Sequence, residues 1–310
     1  MKIEWVKPLH TSMQHNAFTD LCHFKNELYC SFREASNHIS RDGCIRIVTS
    51  DYCGNRVWQT AIRIPNADLR DPKLSIAPDG RLMLLVYARF TDENNRTIHS
   101  KSFVSYSDTG RSWSTPQYFG PRLWWLWRLR WHQQTSYGFA YNRGQQALDL
   151  YTGNPGRSFH LLKKNALSLQ HQGLGYPNES DLFFAEDEQL YAVVRRDADT
   201  FTAQLGRAKP PYTQWQWQDL HTYFASPVIL PKDSNTIYVA GRQWLSRQPR
   251  TIVTELALDS GKMFNRLVLP SSGDNGYPGL VNANGHLYLS YYSEHISDGC
   301  QIYLAKLSAS

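Results

Sequence analysis

Leu74-Ser-Ile-Ala-Pro-Asp79-Gly80-Arg-Leu82-Met83-Leu-Leu-Val-Tyr87 reads as two apolar strands closed on an Asp-Gly turn. That is the strongest short-range signal for a β-hairpin. The arrangement recurs along the chain. Leu182-Phe-Phe-Ala-Glu-Asp-Glu-Gln-Leu190 runs into Tyr191-Ala-Val-Val-Arg195, and Leu280-Val-Asn-Ala-Asn284-Gly285-His-Leu287 into Tyr288-Leu-Ser-Tyr-Tyr292. The second strand recurs in Leu28-Tyr-Cys-Ser-Phe-Arg33, Tyr137-Gly-Phe-Ala-Tyr141 and Tyr238-Val-Ala-Gly-Arg242. Taking Tyr29, Met83, Tyr137, Tyr191, Tyr238 and Tyr288 as phase markers, the steps are 54, 54, 54, 47 and 50 residues. Six units of about fifty residues are a sequence signature of a repeat architecture.

A second element follows most of these strands. Tyr106-Ser-Asp108-Thr-Gly110-Arg-Ser-Trp113 has looser copies in Asn154-Pro-Gly156-Arg-Ser-Phe159, Asp259-Ser-Gly261-Lys-Met-Phe264 and, stretched, Asp51-Tyr-Cys-Gly54…Trp58. The pattern is that of a tight turn. The Asp is expected to cap backbone N–H groups, Gly to supply a positive φ, and the aromatic to plug inward between sheets. Pro72, Pro177, Pro227 and Pro278 are expected to open the first strands, where no ladder donor is lost. Apolar stripes of helical period are nearly absent. These features define an all-β chain, a six-bladed β-propeller of four-stranded antiparallel blades. A two-sheet sandwich would leave the period unexplained. Boundaries are expected near residues 60, 115, 165, 220 and 265, in one domain over residues 1–310.

Apolar residues make up 41% of the 310, enough for a sizeable core, and aromatics 13%. Flat side chains favour strands and ligands with flat faces, such as sugar rings. The net charge is +6, but no Lys/Arg run exceeds two residues. Nucleic-acid footprints cluster on one stripe, so a nucleic-acid partner is not expected and an anionic small ligand or glycan is. No apolar run approaches the roughly 18 residues that span a bilayer. The start, Met1-Lys-Ile-Glu-Trp-Val-Lys-Pro8, has no signal-peptide h-region. Cys22, Cys30, Cys44, Cys53 and Cys300 form an odd set without CxxC spacing and read as free thiols. The expectation is a cytoplasmic protein with no membrane span, no metal-ligand cluster and no cofactor.

The Asp-Thr-Gly-Arg-Ser-Trp turn resembles the Asp-box of sialidases and related six-bladed propellers, and two longer segments sharpen the likeness. Tyr176-Pro-Asn-Glu179-Ser-Asp-Leu, with Arg195 sixteen residues on, resembles the sialidase pattern Asn-Glu-Ser…Arg. Gly276-Tyr277-Pro-Gly-Leu-Val, followed by Leu287-Tyr-Leu-Ser-Tyr-Tyr-Ser-Glu294, is similar to the segment holding the nucleophilic tyrosine of that family. The resemblance implies Tyr277 as nucleophile and Glu179 as its base, since a phenol of pKa near 10 needs a carboxylate to draw off its proton. A neutral nucleophile suits a substrate whose anomeric carbon bears a carboxylate. The resemblance also implies three arginines on that carboxylate, because guanidinium forks pair with it bidentately. Arg195 matches one, and Arg250 or Arg242 another. The family's first arginine, in an Arg-Ile-Pro motif, is replaced here by His15-Asn16-Ala-Phe-Thr-Asp20-Leu, with Arg33 as a stand-in from repeat phase. The acid/base position falls in Ser36-Asn-His38-Ile-Ser-Arg-Asp42-Gly, on Asp42 or His38.

Outside the resemblance, Asp68-Leu-Arg70-Asp71-Pro-Lys-Leu places charges where a propeller mouth collects them, making Asp71 and Arg70 candidates. Trp124-Trp-Leu-Trp127-Arg-Leu-Arg130-Trp131-His132 offers core packing or a stacking platform with cations. His15, His38, His132 and His295 read first as hydrogen-bonding histidines. The leading function is an exo-acting glycosidase on a glycan with an acidic sugar. A polysaccharide lyase, a two-carboxylate glycosidase pairing Glu179 with Asp71 or Asp42, and a non-catalytic carbohydrate- or protein-binding propeller stand beside it.

Overall fold

The structure is a computed structural model and describes residues 1–296 and 299–308. Its strands form six antiparallel sheets. The blades run from His15 to Ile62, Ala67 to Phe119, Trp125 to Ser168, Pro177 to Asp219 and Ala225 to Val268. The sixth blade holds three strands between Gly276 and Ser308 and takes its outermost strand, Lys2–His10, from the other end of the chain. That pairing closes the ring, and the expected boundaries fall within a few residues of the gaps. In the third blade the innermost strand is broken into Trp125–Leu126 and Arg130–His132, both paired with Thr135–Asn142. Among the described residues the α-helix is a single turn, Leu169–Gln172.

Each phase marker lies in the second strand of its blade. These strands are buried on both faces, so they read as apolar runs, and their side chains interlock with those of the next blade. Ile45 and Ile47 of the first blade pack on Leu82, Leu84 and Val86 of the second, all fully buried. The repeated turns join third and fourth strands. Gly110 there has φ 77°, and a Cβ would lie 2.3 Å from the Tyr29 hydroxyl, so only glycine fits. The cap is corrected in one detail. Ser107 Oγ accepts from Gly110 N–H at 2.7 Å in place of Asp108, whereas Asp51 caps Cys53 and Asn55 as expected.

The first strands carry the feature that builds the mouth. Each of the five regular ones has a β-bulge, with two residues facing one on the second strand. Phe18, Asp71, Ser226 and Tyr277 sit in these bulges with φ of 63°, 47°, 50° and 46°. Such a conformation costs a non-glycine residue about 1–3 kcal/mol, and it clusters at functional sites. Pro72, Pro227 and Pro278 follow three of these residues inside their strands; only Pro177 opens its strand as expected.

Below the mouth the axis is closed by charge. Asp20 and Asp181, fully buried in opposite blades, each accept the amide of the next blade, from Leu74 at 2.7 Å and Ile229 at 2.9 Å. Arg128 of the third blade reaches across, bidentate on Asp20 at 2.9 and 3.0 Å and 3.6 Å from Asp181, which also holds Arg130. Each carboxylate is thereby neutralised and hydrogen-bonded, the condition for burying it.

Candidate active site

Four residues beyond each marker, the second strands present Arg33, Tyr87, Tyr141, Arg195, Arg242 and Tyr292 toward the first-strand bulges. Glu179 belongs to the bulge of the fourth blade and Tyr277 to that of the sixth. The Tyr277 hydroxyl donates to Glu179 Oε1 at 2.5 Å. Arg195 Nη1 lies 2.8 Å from the same oxygen and donates to Tyr277 Oη at 3.4 Å, while its Nε is 3.0 Å from Asp197. The second Glu179 oxygen accepts Ser226 N–H at 2.7 Å, and Ser226 Oγ accepts Tyr277 N–H at 3.1 Å. A backbone relay through the fifth blade thus fixes the pair.

The two groups are held in opposite protonation states. Burial alone would raise the Glu179 carboxyl, but the Arg195 charge and the bonds from Arg195 and Tyr277 outweigh it and hold it below its usual range. Burial, and then the Glu179 charge, push the Tyr277 phenol well above its ordinary value, against Arg195 and Arg242. An ionised carboxylate therefore touches a protonated phenol.

Around them stand Phe18, with ring centroid 4.9 Å from that of Tyr277, Trp127 at 6.0 Å, and the Arg242 guanidinium at 5.7 Å. Asp71 is buried, and its Oδ1 has no hydrogen-bond partner among the described residues. Burial raises its carboxyl above the usual range, Lys73 and Arg70 oppose, and the Glu179 charge adds to the rise. Lys73, also buried, reaches only Pro72 O among the described residues, at 3.4 Å, and lies 4.8 Å from the Trp127 ring. Its amine is lowered by that burial.

The fold brings Glu179, Tyr277, Arg195, Arg242, Asp71 and Arg70 toward one mouth, sets His15 and His38 at its rim, and turns Arg33, Arg250 and Asp42 away from it. Arg70 Cζ lies 5.2 Å from the Phe18 ring, and its Nη1 donates to His38 O at 3.2 Å. Arg33 shares the phase of Arg195 but is wholly buried. Its Nε is bonded to Asp68 at 2.8 Å, and its Nη atoms to Asn37 O and Ser40 O, so it anchors the loop that carries His38. Arg250 ties Ser271 O and Gln248 instead of entering the mouth. Asp42 caps Ser36 within its own loop, where these bonds outweigh burial and bring it to about 2. It lines a separate surface cleft with Arg41 and Asn66. His15 and His38 meet at Asp274, which is bonded to His38 Nδ1 at 2.9 Å, His15 Nε2 at 3.4 Å and the Tyr292 hydroxyl at 2.8 Å. Trp125 stacks on Tyr87 with centroids 4.0 Å apart, and His132 stacks on Phe184 away from the mouth.

Sequence reading missed Ser226, Phe18, Lys73, Asp197, Arg128 and Asp274. The repeated X-Pro step, Asp71-Pro72, Ser226-Pro227 and Tyr277-Pro278, was a usable signal for Ser226. The five cysteines are unpaired, and no described helix is long and apolar enough to cross a membrane.

No protein family's sequence profile matches the chain, and no curated protein does. Solved structures match it over nearly its whole length. A Dyadobacter fermentans protein of unknown function superposes with TM-score 0.86 at 14% identity, over 100% of this chain and 99% of that one. The Penicillium chrysogenum α-L-arabinanase gives 0.72 at 13%, over 99% and 97%. The Trypanosoma rangeli sialidase gives 0.62 at 10%, over 99% of this chain and 58% of the sialidase. The chain has the sialidase-like six-bladed propeller fold.

Proposed function

We propose that this chain is an exo-acting glycoside hydrolase that uses Tyr277 as nucleophile, Glu179 as the base that activates it, and Asp71 as the acid/base. The observation that carries the reading is the 2.5 Å contact between Tyr277 Oη and an ionised Glu179. A binding scaffold has no use for a strained tyrosine on a base. Both Glu179 oxygens are occupied, by Tyr277 and Arg195 on one and Ser226 on the other, which suits a base better than a nucleophile.

In the first step the Tyr277 oxygen bonds to the anomeric carbon and its proton passes to Glu179. The bond to the leaving oxygen breaks as Asp71 protonates it. In the second, Asp71 takes a proton from water, whose oxygen bonds to the anomeric carbon. The Tyr277–carbon bond breaks and Glu179 returns the proton to the phenolate. Asp71 suits this part because burial favours its protonated form. The Arg128 plug closes the site from below, which supports entry of a chain end from one face. Arg242 and Arg70 flank the Phe18–Tyr277 pair and would pair with an anionic group on the sugar. A panel of fluorogenic neutral glycosides, sialosides and uronides tests the reading. Hydrolysis of at least one by the wild type, abolished in Glu179→Gln, supports it. Turnover that survives Glu179→Gln, or none on any member, contradicts it.

A further inference from the structure

Closure of the ring brings together residues from its two ends. His15 is the first residue of the innermost strand of blade one, His38 lies in the loop after the next strand, and Asp274 stands just before the innermost strand of blade six. Two imidazole nitrogens converge on one oxygen, Asp274 Oδ2, at 2.9 and 3.4 Å. The three donor atoms lie within 4.8 Å of one another.

We propose that His15 Nε2, His38 Nδ1 and Asp274 Oδ2 form a three-ligand site for a divalent transition metal of the zinc class, at the rim of the mouth. Ligands at about 2.0–2.1 Å from a tetrahedral zinc stand roughly 3.3 Å apart. The two nitrogen–oxygen separations straddle that edge, and the nitrogen–nitrogen separation, within 4.8 Å, must close toward it for an ion to enter. Two imidazoles with one carboxylate select zinc, cobalt or nickel over magnesium and calcium, which prefer oxygen donors. The other Asp274 oxygen is held by the Tyr292 hydroxyl at 2.8 Å, with Arg242 Nη1 at 3.5 Å, which aims Oδ2 at the histidines. Ligating side chains are characteristically oriented in this way by an outer ring of partners. In the metal-free protein the two rings donate N–H to Oδ2. Binding moves the protons of neutral histidines to His38 Nε2 and to His15 Nδ1, which is buried without a partner among the described residues, so no net charge is lost.

Three protein ligands leave a coordination position open. The His38 side chain is half exposed, and Phe18 packs against both His38 and Tyr277, with centroids 5.1 and 4.9 Å away. The cluster therefore borders the Phe18–Tyr277 side of the mouth. A substrate hydroxyl or carboxylate oxygen there is a role that rests on the glycosidase reading; metal binding itself does not. The ion would also clasp blade one to blade six at the seam.

Calorimetric titration of the intact, chelator-treated protein with Zn²⁺, and the visible spectrum with Co²⁺, test the site. One equivalent should bind at or below micromolar concentration, with four-coordinate cobalt bands and a rise in melting temperature. Mg²⁺ should not compete. His38→Gln, in an exposed loop, should weaken binding on the order of a hundredfold or more, beyond what loss of an outer partner costs. His221→Ala, a highly exposed histidine elsewhere, should change nothing. Asp274→Asn gives a second reading where His15→Ala fails to fold. Absence of stoichiometric binding, or binding unaltered by His38→Gln and Asp274→Asn, overturns the proposal. Metal loss in His38→Gln and loss of hydrolysis in Tyr277→Phe are separate readouts, so one can fail without the other.

Discussion

Tyr277 and Glu179, 98 residues apart in sequence, meet at 2.5 Å because blades four and six present equivalent bulges to the same axis. The contact joins a phenol that burial keeps protonated to a carboxylate that Arg195 keeps ionised. In the proposed mechanism the two act as a unit. Glu179→Gln should lower kcat on the order of 10³-fold. Tyr277→Phe should lower it at least as far, and the double variant should be no worse than the poorer single. Steady-state kinetics on the best fluorogenic substrate checks this, and additive losses would show that the two residues act independently.

The pH profile follows from the two carboxyl groups. Glu179 must be ionised, and its folded value lies below the ordinary 4.5, so the acidic limb falls at lower pH than a free glutamate would set. Asp71 must be protonated, and its value is raised above 3.8, so activity declines as pH rises through it. Asp71→Asn should abolish that alkaline limb. It should also slow substrates with poor leaving groups far more than aryl glycosides, which need no protonation. Equal losses on both substrates would remove Asp71 from the acid role.

Selectivity for an anionic sugar should sit on Arg242 more than on Arg195. Arg195 already serves Glu179 and Asp197, so Arg195→Ala should damage turnover of neutral and acidic substrates alike. Arg242→Gln should raise KM for an acidic substrate by roughly a hundredfold, at about 1.4 kcal/mol per tenfold, and leave a neutral one nearly unchanged. Parallel titrations decide it; equal losses would take the anion out of the reading.

Stability should depend on the axial charge plug. Arg128→Leu strips the shared cation from two fully buried aspartates and should destabilise the fold by about 3–5 kcal/mol. Arg81→Ala, which breaks the exposed pair with Asp79, should cost at most about 1 kcal/mol. Denaturant unfolding of the two variants makes the comparison, and equal effects would contradict the plug.

The blade count was legible because each blade solves the same local problem, a buried hairpin with its marker at a fixed phase. The sialidase-like segment located Arg195; its repeat phase then suggested Arg242 and equally Arg33, whose Nε is bonded to Asp68 of the next blade and whose Nη atoms are taken by Asn37 O and Ser40 O. Phase reports where a side chain points, not which neighbour claims it. Asp42 and His38 lie four residues apart in one loop, and whether either turns inward depends on Arg33 holding the loop backbone, a contact with no local signature. The meeting of His15 with Asp274, 259 residues away, exists only once the ring closes. Arg128 sat inside an aromatic run read mainly for its tryptophans, and its role appears only across the axis.

In the proposed mechanism Tyr277 becomes covalently bonded to the sugar. Incubation with activated fluorosugars of neutral and acidic type, followed by intact-mass and peptide mapping, measures this directly. A single adduct is expected on the peptide containing Tyr277, absent from Tyr277→Phe and formed slowly in Glu179→Gln. An adduct on Glu179 or Asp71, or full turnover of the same sugar's glycoside by Tyr277→Phe, would contradict it.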